Sequence, residues 1–262
     1  MKTTFSLRIG CEDRSLALAA ASECIDQIDQ IENKLSRYLP GSDIWQINHL
    51  NAGESLFVSE LTYECLRLAL EVYQETQGLF DITLGQQIEH RKNEQGGPLP
   101  ALSGQLMIDP DRPRVHCVEA GRQIDLGGIG KGFALDHLMK ILRDGGISSA
   151  LLAAGASTQL AHGATPWPIQ LTGQTGTTTI DLVNQSLSAS GTAIQGSHII
   201  SPYDQESAYP RENIWLVHDS AAKADAYTTA ALLMPDDMLA EFAESVAAIY
   251  LETTDGITTL RS

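Results

Sequence analysis

The sequence is short of basic residues. Across 262 positions, 17 Lys and Arg face 33 Asp and Glu, a formal charge of −16 at pH 7. That balance repels a phosphate backbone and an anionic bilayer surface, which argues against nucleic-acid and membrane-surface roles. Any phosphorylated ligand would need a local remedy, either a metal ion or a nest of backbone amides. Long apolar runs are missing as well, since none approaches the roughly 18 residues that a transmembrane helix requires. The opening MKTTFSLRIG lacks the apolar stretch and small-residue cleavage site of a secretory signal. A cytoplasmic location is therefore expected, or else a trimmed, mature form of an exported protein. Cysteine is sparse: Cys11, Cys24, Cys65 and Cys117 form no C-x-x-C pair. This removes zinc knuckles and redox pairs from consideration. Cys24 and Cys65 fall in predicted helices, where buried reduced thiols are expected. There is no internal repeat, linker or low-complexity tract.

What is present is a hydrophobic fraction of 43%, enough for a substantial core. Phe5, Leu7 and Ile9 alternate with polar residues and predict an N-terminal strand. Leu18, Ile25, Ile28, Ile31 and Leu35 lie on one face of a helix over 15–36. A second helix is expected from Ser59, as N-cap, to Gln77, with Gly78 as its stop. GLFDIT (78–83) reads as extended, and 90–104 as coil. Short strands are expected around 107–108, 115–118 and 123–126, then a helix over 133–144 closed by Gly145-Gly146. Further strands follow at 149–153, 169–171, 177–183, 186–189 and 214–217. Helices over 221–233 and 236–245 precede a closing hairpin, 247–252 with 257–260, turned at Asp255-Gly256. Helices early and strands in consecutive runs predict an α+β fold in a single domain, with a mixed or antiparallel sheet flanked by helices.

Four segments could carry chemistry. In IDLGGIGKGFALD (124–136), glycines at a strand-to-helix junction allow backbone amides to approach a phosphate. It is neither a Walker loop nor G-x-G-x-x-G, because its glycines fall at 127, 128, 130 and 132. By spacing alone it is equally a glycine-rich connection with Lys131 at the surface. In KADAYTTAALLM (223–234), Asp225 and Thr229 stand at i and i+4 on one helical face. Hard oxygens so placed suit Mg²⁺, and helix capping by Asp225 is the plainer alternative. In SGTAIQGSHIISP (190–202), His198 could act as a general base or serve only structure. In LSRYLPGSDIWQIN (35–48), Tyr38 and Trp45 could stack on a ring system or, more simply, fill the core.

Taken in order, these segments resemble the ApbE family of FAD:protein FMN transferases. The matching stretches are MKTTFSLRI, SRYLPGSDIWQIN, GLFDITLG, DLGGIGKGFALD, SHIISP and ADAYTTA, and they span essentially the whole chain, 1–262. The chain departs from the family at AAGAS (153–157), where N-x-G-G-D is usual, at Ser201-Pro202 in place of D-P, and in the short stretch 192–196. The resemblance implies Mg²⁺-dependent transfer of the FMN part of FAD to a Ser or Thr hydroxyl of an acceptor flavoprotein, with release of AMP. It implies side-chain metal ligation by Asp225 and Thr229 and a third ligand in the Gly128 carbonyl. It also implies flavin-nucleotide contacts at Asp125, Lys131, Asp81, Ile82, Thr83 and Ile199, flavin packing by Tyr38 and Met1, and activation of the acceptor hydroxyl by His198. Hydrolysis of FAD to FMN and AMP, or FAD binding without turnover, remain the alternatives.

Overall fold

The protein is described here by a computed structural model covering residues 3–93, 97–191, 199–203 and 209–261. Its backbone falls into two compact units, and the chain passes between them within the first long helix, after Ile28, and again after Gly130. Among the described residues, no helix is long and apolar enough to cross a membrane.

The first unit holds residues 29–130 and 199–203. It contains the C-terminal turns of α1 (Arg14–Leu35), then α2 (Asp43–Ile47), β2 (Ser55–Phe57), α3 (Glu60–Glu75), α4 (Gly85–Lys92), β3 (Gln105–Ile108) and β4 (Arg114–Glu119). The three strands form an antiparallel sheet in the order β2-β4-β3. Helix α3 begins where the sequence predicts, at Ser59, whose hydroxyl accepts the Thr62 amide. Asp43 reinforces this start by accepting the Ser59 amide at 2.8 Å, the Ser59 hydroxyl at 2.6 Å and the Thr62 hydroxyl at 2.8 Å. Thr62, Cys65, Leu66, Ala69 and Val72 recur at helical spacing and are buried. Gly78, at φ 82°, closes the helix by donating its amide to the Tyr73 carbonyl.

Three expectations in this unit fail for identifiable reasons. GLFDIT is a series of turns, because Asp81 Oδ1 accepts both the amide and the hydroxyl of Thr83 and competes with strand pairing. The expected coil at 90–104 starts inside α4, a largely polar helix (GQQIEHRK) with almost no apolar stripe to reveal it. Residues 123–126 form no strand and share only one parallel bridge, Leu84 with Gln123.

The second unit holds 3–28, 131–191 and 209–261. Its seven-stranded sheet runs β1-β5-β6-β9-β10-β11-β12 with every neighbouring pair antiparallel. The strands are β1 (Phe5–Gly10), β5 (Ser149–Ala154), β6 (Thr158–His162), β9 (Ser186–Gly191), β10 (Asn213–His218), β11 (Ala248–Thr253) and β12 (Gly256–Arg261). A separate hairpin joins β7 (Trp167–Thr172) and β8 (Thr177–Leu182). The helices of this unit are the start of α1, α5 (Gly130–Asp144) from Lys131 onward, α6 (Ala221–Leu233) and α7 (Asp236–Phe242), the last continuing into a 3₁₀ turn at Ala243–Ser245.

Both faces of the sheet are covered. Ala150, Leu152, Ala154 and Leu160 pack with Ala20 and Cys24 of α1 and with Leu135, Leu138, Met139 and Leu142 of α5. Leu151, Ala161, Leu187, Trp215 and Val217 pack with Ile169, Leu171 and Leu182 of the β7–β8 hairpin. Double coverage explains why β5 reads as an uninterrupted apolar run rather than an alternation. The closing hairpin turns at Asp255-Gly256 as expected, with Gly256 at φ 123°. Strand β6 is the element of this unit that sequence reading overlooks, as α2 and β2 are in the first. All four thiols are free, and burial pushes the Cys24 thiol up to about 11. The architecture is α+β.

Candidate functional site

In the first unit, three of the motif segments converge. Asn48, at the end of SRYLPGSDIWQIN, grips the backbone of Ile124: its amide nitrogen donates to the Ile124 carbonyl at 2.9 Å, and its oxygen accepts the Ile124 amide at 2.7 Å. The Asp125 amide donates to the Ile82 carbonyl at 2.8 Å, which joins the 81–83 stretch to the glycine segment. Asp125 itself is buried and fully engaged. Its Oδ1 accepts the Gly127 amide at 2.7 Å, and its Oδ2 receives Arg37 Nη1 at 3.0 Å, with Lys92 Nζ 3.8 Å away. Gly128 lies in the turn so formed, and the amides of Ile129 and Gly130 both return to the Leu126 carbonyl. A carboxylate held this way organises the glycine turn whatever else it touches.

Arg37 is the hub of this arrangement and was invisible to motif reading. Besides Asp125, it donates to the Gly85 carbonyl at 2.9 Å, Gln123 Oε1 at 3.0 Å and Glu89 Oε2 at 2.8 Å. Its position in the sequence, next to Tyr38 in a chain with few cations, was the available signal. Arg122 is a second such residue. It donates to Thr83 Oγ1 at 2.9 Å and stands 3.7 Å from Asp81 Oδ2, so Asp81, Thr83 and Arg122 form one cluster. Ile82 is buried beside it, and Ile199, also buried, accepts Arg91 Nη1 on its carbonyl at 3.3 Å.

Tyr38 does not fill the core, the simpler of its two readings, since it is 59% exposed and its ring lies under the Arg37 guanidinium at 5.5 Å. Its phenol is pushed above the ordinary range by partial burial and by the Asp125 carboxylate. Trp45 stacks instead on His49, with ring centroids 3.9 Å apart. Met1 and His198 lie outside the described residues.

In the second unit, the geometry centres on Asp225 in α6. The carboxylate is 3% exposed and meets four donors. Oδ1 lies 3.0 Å from Lys131 Nζ and accepts Thr158 Oγ1 at 3.2 Å and Ser188 Oγ at 3.4 Å, while Oδ2 accepts the Gly132 amide at 3.3 Å. Thr158 and Ser188 are fully buried hydroxyls on the helix-facing side of β6 and β9. Motif reading missed both, although SLSAS in β9 places polar residues at inward positions where apolar ones are usual. Thr229 is one turn further on, half-buried, and its hydroxyl donates to the Asp225 carbonyl at 3.3 Å. The structure therefore brings together Lys131, Asp225 and Thr229. The AAGAS segment is the β5–β6 turn, with Gly155 at φ 61°.

Among the described residues, no three His, Cys, Asp or Glu side chains group to hold a metal ion. Asp225 and Thr229 offer one carboxylate and one hydroxyl. This hard-oxygen set fits Mg²⁺, which takes one or two protein oxygens and completes its shell with water and phosphate. The Lys131 ammonium already neutralises this carboxylate at 3.0 Å, so a metal ion there would have to displace it.

The sequence matches the ApbE family over residues 1–251. An FAD:protein FMN transferase of Klebsiella pneumoniae (strain 342) is 24% identical over 290 residues, covering 93% of this chain and 79% of that protein. One from Escherichia coli (strain K12) is 22% identical, covering 88% and 75%. The flavin transferase ApbE of Vibrio cholerae shares the fold with a TM-score of 0.85 at 19% identity, over 99% of this chain and 93% of that one. The ApbE protein of Thermotoga maritima does so at 0.82 and 22%, over 98% and 96%. With its ordered motifs, its α+β fold and a match that spans nearly its whole length, the chain belongs to the ApbE family.

Proposed function

We propose that this chain, acting as one catalytic domain over residues 1–262, transfers the FMN moiety of FAD to a Ser or Thr hydroxyl of an acceptor flavoprotein and releases AMP. The observation that carries this reading is the Asp225 cluster: a buried carboxylate paired with Lys131 at a glycine-rich helix start. It stands in a chain whose named relatives are FAD:protein FMN transferases.

In this reading the glycine turn after Asp125 and the Lys131 ammonium receive the pyrophosphate, for which helix-start amides and a cation are suited. Asp225 and Thr229, with the Gly128 carbonyl, would hold Mg²⁺. The chemistry such an ion supplies is neutralisation of charge on the pyrophosphate and on the departing AMP. Tyr38 offers an exposed ring for the flavin, whose other side Met1 would cover, and Ile199 and the 81–83 stretch would border the nucleotide. The acceptor oxygen forms a bond to the FMN-side phosphorus as the bond from that phosphorus to the bridging oxygen breaks. The hydroxyl proton passes to His198, and the bridging oxygen leaves with AMP.

The test is incubation with FAD, MgCl₂ and candidate acceptor flavoproteins, followed by gel fluorescence for covalent flavin and chromatography for AMP. Labelled acceptor with equimolar AMP supports the proposal. FMN and AMP without acceptor would make the protein a hydrolase, and tight FAD binding with no AMP would make it a binding protein.

A further inference from the structure

Each of the two helices that carry the Lys131–Asp225 pair receives a carboxylate from the other. Asp225, in the second turn of α6, accepts the Gly132 amide at the start of α5 at 3.3 Å and pairs with Lys131 at 3.0 Å. Asp136, in the second turn of α5, does the converse. Its Oδ2 accepts the Ser220 hydroxyl at 2.8 Å and the Ala222 amide at 3.0 Å, and its Oδ1 accepts the Ala221 amide at 2.9 Å, all at the start of α6. Helix starts expose amides without intrahelical partners, and their partial positive charge favours a carboxylate. At Gly132 the helices meet closely: a β-carbon there would overlap the Ala221 carbonyl and lie 2.6 Å from the Ala222 nitrogen.

We infer that Asp136 is a positioning residue that fixes the start of α6 against α5 and so sets the separation between Lys131 and Asp225. Ordinary capping does not account for it. Helix α6 already has its own cap, Ser220, whose hydroxyl accepts the Lys223 amide at 3.2 Å. What Asp136 adds is a restraint across the two helices. The geometric inference stands on the contacts alone, and only its consequence for turnover rests on the function proposed above.

The experiment compares wild type, Asp136→Asn and Asp136→Glu by trace acetylation of lysines with acetic anhydride, read by mass spectrometry without FAD or metal, with Lys140 as internal reference. Mn²⁺ binding and AMP release from FAD are measured on the same samples. Asp136→Asn presents an amide NH₂ to the α6 donors and is expected to raise Lys131 labelling several-fold relative to Lys140, with Asp136→Glu partly restoring protection. Mn²⁺ affinity should fall by roughly 10–100-fold, the usual effect of removing a group that orients a ligand. Should Asp136→Asn not fold, Asp136→Glu alone is read: it keeps the carboxylate but shifts its three contacts, and should raise Lys131 labelling above wild type by less. Unchanged Lys131 labelling in the folded variants overturns the inference. So does an equal rise in Asp43→Asn, which loosens a comparable carboxylate-braced helix start in the other unit. A shift in Lys131 labelling with AMP release unchanged would uphold the positioning role and count against the proposed function instead.

Discussion

Arg37 and Asp125 meet as a buried ion pair, Nη1 3.0 Å from Oδ2, with 8% and 6% of their side chains exposed. Removing Arg37 leaves the buried Asp125 with only the more exposed Lys92, 3.8 Å away, as a counter-charge. Arg37→Met is therefore expected to lower stability by about 3–5 kcal/mol, the usual range for breaking such a pair. Denaturant unfolding of Arg37→Met, Asp125→Asn and the double variant checks this. A double variant no less stable than either single one would establish the coupling. Arg37→Lys should fail to restore stability, because a lysine cannot reproduce the forked contacts to Gly85, Gln123 and Glu89.

Asp225→Ala should abolish AMP release. Because it also leaves the buried Thr158 and Ser188 hydroxyls without this acceptor, at a cost of about 1–3 kcal/mol, retention of the fold is checked alongside by circular dichroism. The loss is expected to include Mg²⁺ dependence altogether, since the variant lacks the carboxylate that would hold the ion. Residual, Mg²⁺-dependent turnover near the wild-type rate would refute the metal assignment.

Gly132→Ala is expected to be severe. An added methyl collides with the Ala221 backbone, which cannot swing aside as a side chain would. A cost of about 1–3 kcal/mol or more follows from such overpacking. Gly176→Ala, where nothing lies within 4 Å of the new carbon, is the control and should be neutral or stabilising by about 0.4–1 kcal/mol. Thermal unfolding of the pair gives the comparison.

Acid should destabilise the protein in two stages. Burial of His218 depresses its pKa below the ordinary 6.5, so the unfolded chain takes up this proton first. The stability tied to neutral His218 is present above 6.5 and is lost as pH falls through the lower, folded value. Burial alone would raise Asp43, but hydrogen bonds from Ser59 and Thr62 and the charge of Lys34 outweigh it and hold the carboxyl below 3.8. Its contribution is present above that value and is lost as pH falls through the lower one. Denaturant unfolding at stepped pH should show both losses. Asp43→Asn should cost about 1–3 kcal/mol at neutral pH, as expected for a buried network deprived of its acceptor, and should flatten the second stage.

Much of this was legible in the sequence, and most of the site residues that were not share one cause. Helices α1, α3, α5 and α6 announce themselves through local signals such as the Ser59 cap and the Gly145-Gly146 stop. The face expected for α1 is only partly right: Ile31 and Leu35 are buried, whereas Leu18 and Ile25 are exposed and Ala20 and Cys24 take their place in the core. Lys131, Asp225 and Thr229 were legible as motif positions. Arg37, Asp136, Thr158 and Ser188 were not, because each gains its meaning from a partner far along the chain: Arg37 from Asp125, Asp136 from Ala221, Thr158 and Ser188 from Asp225. The misread turn at 78–83 is the local version of the same effect, with the Asp81 side chain overriding the backbone preference of its apolar neighbours.

The strand order β1-β5-β6 has a consequence for how the chain acquires its structure. Phe5 pairs with Ala154 and Gly10 with Ser149, so the N-terminal strand waits for more than half the polypeptide before it has a partner. The starts of α5 and α6 likewise secure each other only once residues 220–222 have been made. Contacts so distant in sequence close large loops and slow the search for the native state. Synthesis from the ribosome therefore leaves β1 exposed as an unpaired strand for most of elongation, and assembly of the second unit belongs to the period after the last strands emerge.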